Sequence, residues 1–213
     1  MPLLLHFLRH GQTQHSRDNL YCGGDVDAPL TPEGHAMARS FAQAYQKTTW
    51  SAIYASPLQR AQDTARPMQA LSGVGVQVRE ELREIRYGAW DGRSVEDVTR
   101  QDADAYRRWL ADPGWHPPTG GETAFDLASR ALQLVREICR SHAAGNVLLV
   151  SHKATIRAVL CSILGIEVSQ FRYRLGCPVA SVSVVEITGH GGLLHRLADT
   201  AHLEAKLREL AGT

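Results

Sequence analysis

Short, nearly unbroken apolar runs alternate along this chain with longer stretches in which apolar residues recur every three or four positions. "LLLHFL" (3–8), "SAIYAS" (51–56) and "NVLLVS" (146–151) are of the first kind. Such runs suit strands covered on both faces. Thr31, Pro32 and Glu33 give an N-cap, a first-turn proline and a dipole-compatible acid, predicting a helix to about Gln46. Ser56 and Pro57 repeat that signal for a helix ending near Leu71. Between Glu122 and His142, residues Phe125, Ala128, Leu132, Val135 and Cys139 mark the longest amphipathic helix. A further helix is predicted to begin near Ala154. Residues 111–121, "ADPGWHPPTGG", hold three prolines and three glycines and read as a loop. The alternation of elements predicts an α/β fold on a mainly parallel sheet.

The 213 residues, 44% of them hydrophobic, suffice for one good-sized core, so residues 1–213 are expected to form a single domain. A loop or lid region is expected around 93–121. Lysine and arginine total 23 against 22 acidic residues, a formal charge of +1. That balance offers no general attraction to nucleic acid or an anionic membrane, so any anion site must be local. No apolar stretch approaches the roughly 20 residues of a membrane span, and no secretory signal is visible. A cytoplasmic protein is the expectation. Cys22, Cys139, Cys161 and Cys177 are scattered without a CxxC pair, which predicts reduced thiols and no cysteine metal site.

In a parallel α/β sheet, ligands bind beyond the carboxyl ends of the strands. Arg9, His10 and Gly11 follow the first apolar run, Ser151 and His152 follow "NVLLV", and Ser56 follows "AIYA", with Arg60 about one turn into the next helix. Two histidines and two arginines therefore converge on one sheet edge, where helix N-termini add partial positive charge. A guanidinium fork there can hold two phosphate oxygens. A phosphate group is the natural ligand.

Taken in order, "LRHGQT", "PLTPEG", "IYASPLQRAQDTA", "LREIRYGAWDG", "GGET" and "VSHKATIRAVL" strongly resemble the histidine phosphatase superfamily, in the branch of cofactor-dependent phosphoglycerate mutases and small-molecule phosphatases. The resemblance spans nearly the whole chain and implies a phosphoglycerate mutase-like three-layer sandwich. It implies that His10 is the nucleophile that becomes phosphorylated. Arg9, Arg60 and His152 would hold the transferred phosphoryl group, and Glu84 would be the acid/base carboxylate. Thr13, Ser16, Cys22 and Gly23 align with the phosphate pocket.

These residue types suit the chemistry. A neutral imidazole attacks phosphorus without prior deprotonation by a strong base. Cationic side chains can supply the charge that a metal supplies elsewhere, so neither cofactor nor metal is expected. Two positions depart from the family pattern: Ser16 stands where many members have asparagine, and Lys153 where most have glycine. Lys153 would bring a cation to the pocket if it turns inward.

The interval between Glu84 and the last long helix is short, as in the phosphatase branch. The resemblance therefore implies a metal-independent, histidine acid-type phosphomonoester hydrolase. Arg107 and Arg108 keep a mutase as the alternative, since either would clamp a substrate carboxylate or second phosphate. Trp109, Trp115 and His116 are candidates for an apolar wall over the substrate. A non-catalytic phospho-ligand binding protein is the remaining alternative. The expected partner is a small phosphomonoester, with a homodimer as the assembly to consider.

Overall fold

The computed structural model describes residues 1–212. The first half of the chain forms β1 (Leu3–Arg9), α1 (Gln14–Arg17), α2 (Pro32–Ala44), β2 (Trp50–Ala55), α3 (Gln59–Ser72), β3 (Val76–Val78), α4 (Val95–Gln101) and α5 (Ala103–Ala111). The second half forms α6 (Ala124–Ser141), β4 (Gly145–Ser151), α7 (Lys153–Leu164), α8 (Phe171–Arg174), β5 (Val182–Thr188), β6 (Gly191–Asp199) and α9 (Ala205–Arg208).

The strands make a six-stranded sheet in the order β3-β2-β4-β1-β5-β6. The first four are mutually parallel; β5 runs antiparallel to β1 and β6 antiparallel to β5. Side chains alternate between faces with the period of two that strands impose. Leu5, Phe7, Ala52, Tyr54, Val147 and Leu149 join the core under α6 and α7. Leu8, Ile53, Ala55, Leu148 and Val150 join the core under α2 and α3. Both faces are thus covered, which accounts for the unbroken apolar runs.

Helix α2 begins as its sequence predicts, with the Thr31 side chain accepting from Gly34 N. Helix α3 does not. It starts at Gln59 behind Leu58, without a side-chain cap of its own; the Ser56 hydroxyl accepts from Leu58 N at 3.3 Å just ahead of the helix and also meets His152 at 2.7 Å. The buried stripe of α6 is Ala124, Leu127, Ala128, Ala131, Leu134, Val135 and Ile138. It lies about one residue from the predicted stripe, with Leu132 and Cys139 at its margin. Alanines face the sheet and carry little weight in a pattern dominated by bulky side chains.

The 93–121 region is only partly loop. Helices α4 and α5 occupy most of it, and α5 is anchored by the fully buried Trp109 against Tyr87, Trp90 and Phe171. Among the described residues no helix is long and apolar enough to cross a membrane.

Candidate active site

Strand register brings the predicted residues together. Arg9 pairs with Ser151 across β1 and β4, and Ala55 with Val150 across β2 and β4. The residues just beyond these strand ends, His10, His152 and Ser56, therefore share one edge. His10 N donates to Ser151 O at 3.0 Å and Ser56 N to Val150 O at 3.0 Å. A cavity of about 260 Å³ opens there, lined among others by Arg9, His10, Thr13, Ser16, Cys22, Arg60, Glu84 and Lys153.

The His10 ring is fixed by its own turn. Nδ1 lies 2.7 Å from Gly11 O, and a carbonyl can only accept, so Nδ1 carries the proton and Nε2 presents a lone pair. Burial, reinforced by Arg60 and then Arg9, pushes the His10 pKa well below its ordinary 6.5. The imidazole is therefore held neutral, with its Nε2 lone pair unprotonated. Gly11 permits this turn: its N–H donates to Thr64 Oγ1 at 3.0 Å, and a β-carbon there would strike the Gly34 carbonyl oxygen.

His152 is wholly buried, its ring 5.1 Å from that of His10 between centroids. Both nitrogens are engaged: Nδ1 accepts from Arg60 Nε at 3.2 Å, and Nε2 lies 2.7 Å from Ser56 Oγ. Burial, then Arg60 and His10, lowers its pKa well below 6.5. His152 thus stands behind the cavity wall and orients Arg60. Each nitrogen of the Arg60 guanidinium donates to protein, Nη1 to Val26 O at 2.7 Å and Asp27 Oδ1 at 3.3 Å, Nη2 to Cys22 O at 3.3 Å and Gly23 O at 3.0 Å. Arg60 therefore ties the 22–27 loop to the sheet edge.

Gly23 sits in that loop outside the cavity lining. Its N–H donates to Asp91 Oδ1 at 2.6 Å, and a β-carbon would meet Ile85 O at 2.6 Å. Arg9 is different. Its Nη1 donates to Cys177 O at 2.7 Å, while its buried Nε has no partner among the described residues. Arg9 also lines the cavity, so its positive charge faces whatever anion binds there.

Glu84 is 5% exposed, not the solvated member of a charged run. Its Oε1 accepts from Ile85 N at 2.9 Å and Thr155 N at 3.1 Å, and Oε2 from Ala154 N at 3.1 Å. The first turn of α7 thus fixes the carboxylate on the cavity wall. The backbone behind it is held too, because Arg130 donates to Glu81 O and Glu84 O at 2.9 and 3.0 Å and pairs with buried Glu122 at 2.7 Å.

Thr13 and Ser16 line the cavity but also cap α1: Thr13 N donates to Ser16 Oγ, Ser16 N to Thr13 Oγ1, and the Ser16 hydroxyl to Thr13 O. Cys22 is a cavity-wall thiol whose pKa burial pushes up. Arg107 and Arg108 are exposed on α5 outside the cavity, Arg107 pairing with Asp104. Exposed Trp115 packs on Phe125, and exposed His116 and buried Trp109 are also absent from the wall.

Tyr21, Tyr87, Arg157, Phe171 and Arg172, none of them singled out by a sequence motif, also line the cavity. Arg157 follows Lys153 by four residues on α7, a spacing that places both on one helix face and is legible in the sequence. Among the described residues no group of three or more histidine, cysteine or acidic side chains is arranged to hold a metal ion.

Residues 5–200 match the family "Histidine phosphatase superfamily (branch 1)". Phosphoserine phosphatase 1 of Hydrogenobacter thermophilus is 30% identical over 92% of each chain. Glucosyl-3-phosphoglycerate phosphatase of Mycolicibacterium vanbaalenii is 33% identical over 86% of this chain and 83% of its own. Among solved structures, Bacillus stearothermophilus YhfR superposes with a TM-score of 0.88 at 26% identity, covering 95% of this chain and all of its own (100%). The native mycobacterial glucosyl-3-phosphoglycerate phosphatase Rv2419c superposes with a TM-score of 0.84 at 27% identity, covering 92% and 99%. Fold and site together define a phosphoryl-transfer enzyme of the histidine type. The chain belongs to branch 1 of the histidine phosphatase superfamily.

Proposed function

We propose that this protein hydrolyses small phosphomonoesters through a phosphohistidine at His10. The observation that carries this reading is the His10 ring itself, neutral, with Nδ1–H donated to Gly11 O at 2.7 Å and Nε2 left as the free lone pair on the cavity wall. Nε2 attacks phosphorus as the ester P–O bond breaks, and Glu84 in its protonated form gives its proton to the departing oxygen. Glu84, now ionised, then takes a proton from water, which attacks the phosphohistidine. The P–N bond breaks, its electron pair returns to His10, and inorganic phosphate leaves.

Arg9, on the cavity wall, offers positive charge where negative charge is already present and shifts during transfer. Arg60, Ser56 and His152 keep that side of the pocket preorganised. The finer reading as an acid phosphatase rests on the lowered His10 pKa. A nucleophile that stays unprotonated as pH falls below 6.5 sustains turnover in mildly acidic solution.

The test is trapping with a phosphorus-labelled aryl phosphate in excess chelator. An acid-labile, base-stable label on the wild-type chain, absent from a folded His10→Ala variant along with turnover, is the expected result. Label persisting in the variant assigns the nucleophile elsewhere, and activity abolished by chelator and restored by magnesium or zinc overturns the metal-independent mechanism.

A further inference from the structure

The cavity is lopsided in charge. Arg9, Arg60, Lys153, Arg157 and Arg172 line it against a single carboxylate, Glu84, and the Glu84 oxygens already accept from the start of α7. A phosphoryl group lodged at His10 meets Arg9 and, behind it, Arg60. Three cations remain on the α7 and α8 side. Lys153 and Arg157 lie one turn apart on α7, and Arg172 reaches in from α8 with its guanidinium 5.2 Å from the Trp109 ring centroid.

Among the described residues none of these three forms an ion pair with a carboxylate, and Lys153 makes no side-chain hydrogen bond. Arg157 commits Nε to Leu175 O, leaving its two terminal nitrogens. Clustering three half-buried like charges without a counter-ion is unfavourable in the empty protein, and an anion placed among them relieves it. Leu20, Tyr21, Tyr87 and Phe171 line the same cavity, so apolar and aromatic surface stands beside these charges.

Resting on the phosphatase reading above, we propose that Lys153, Arg157 and Arg172 bind a carboxylate on the leaving group, making short phosphorylated carboxylic acids the preferred substrates. At about 260 Å³ the cavity lies just below the usual range for small-molecule sites, in keeping with a leaving group of a few carbons. The planar guanidinium forks suit a carboxylate.

Substrate pairs differing in the carboxylate test this directly: 2-phosphoglycolate against ethyl phosphate, and O-phosphoserine against O-phosphoethanolamine. The acid of each pair is expected to show at least tenfold higher kcat/KM. Lys153→Gln and Arg157→Gln should each erode that ratio at least fivefold, mainly through KM. Binding of 3-phosphonopropanoate against propylphosphonate, followed by calorimetry, reads the same preference without turnover.

Equal constants within both pairs, or a ratio unmoved by the variants, overturn the subsite while hydrolysis of ethyl phosphate leaves the phosphatase reading standing. Absence of all hydrolysis with a retained phosphonate preference does the reverse. A preference for propane-1,3-diol bisphosphate over propyl phosphate, with no gain from carboxylates, would assign the cluster to a second phosphoryl group and overturn the proposal as stated.

Discussion

Arg60 Nε donates to His152 Nδ1 across 3.2 Å, and that contact fixes the tautomer of a wholly buried histidine. Guanidinium nitrogens only donate, so the ring proton is on Nε2, directed at Ser56 Oγ 2.7 Å away. Ser56→Ala removes the acceptor and leaves a buried N–H unmatched, at a cost of about 1–3 kcal/mol. Urea unfolding should show a lower midpoint with an unchanged m-value. Activity should fall as Arg60 loses its rigid support. A variant as stable and active as wild type would show that the chain from Ser56 to Arg60 has no positioning role.

Stability should fall as pH drops below 6.5. His10 and His152 are held neutral in the folded state by burial and the adjacent guanidiniums, while the unfolded chain takes up protons near 6.5. The unfolded state then binds more protons, which costs up to about 1.4 kcal/mol per pH unit for each such histidine. The loss levels off once the folded pKa is passed. Asp91, which burial raises to about 6, works in the opposite sense, whereas His6 and His202, also lowered by burial, act in the same sense as the two site histidines. Denaturation in phosphate-free buffer at pH 7.5, 6.5 and 5.5 measures the slope, and a rise in stability over that interval contradicts the assignment.

Much of this site is legible in the sequence because β1, β2 and β4 are covered on both faces and so declare themselves as apolar runs with polar residues at their ends. Register then does the rest, placing Arg9 opposite Ser151. Glu84 is a different matter. Local sequence makes it one of several charges in "REELREIR", and only its burial against Ala154 and Thr155 separates it from Glu80 and Glu81, so resemblance rather than pattern identifies it. The antiparallel β5 and β6 are not legible in the same way, since β6 is an edge strand with Leu193, Leu194 and Leu197 exposed and no regular alternation. Arg172 is brought to the cavity by a four-residue helix more than 160 positions from His10, a juxtaposition that no local pattern announces.

The carboxylate preference should decline as pH rises through about 8. Burial, with Arg9, Arg157 and Arg172 nearby, pushes the Lys153 ammonium down to about 8. The Cys177 thiol is close to Lys153, and Glu84, the Cys22 thiol and the phenols of Tyr21 and Tyr87 line the same cavity; burial raises the pKa of both phenols, that of Tyr21 to about 12, and of both thiols. The free enzyme therefore loses one positive charge from the subsite above pH 8. The kcat/KM ratio of 2-phosphoglycolate to ethyl phosphate, which reports free-enzyme ionisations, should hold its plateau at pH 7 and fall by pH 9. A flat ratio over that range, or the same decline in Lys153→Gln, removes Lys153 as its source.

Glu84→Gln should separate substrates by their leaving groups. An alkoxide is a poor leaving group and needs a proton as the P–O bond breaks, so loss of the acid should slow ethyl phosphate by about 10²–10⁴. A nitrophenolate leaves without that proton, and phosphorylation of His10 by nitrophenyl phosphate should be slowed far less. The second step still requires a base for water. The variant should consequently accumulate phosphohistidine from nitrophenyl phosphate, releasing one equivalent of nitrophenol in a burst before a slow steady state. The substitution also changes what the α7 amides meet: one acceptor oxygen becomes an NH₂ facing Ala154 N or Thr155 N, so circular dichroism and an unfolding midpoint are needed beside the kinetics. Equal loss of activity on both substrates in a well-folded variant, with no burst, would show that Glu84 holds the wall of the cavity and takes no part in proton transfer.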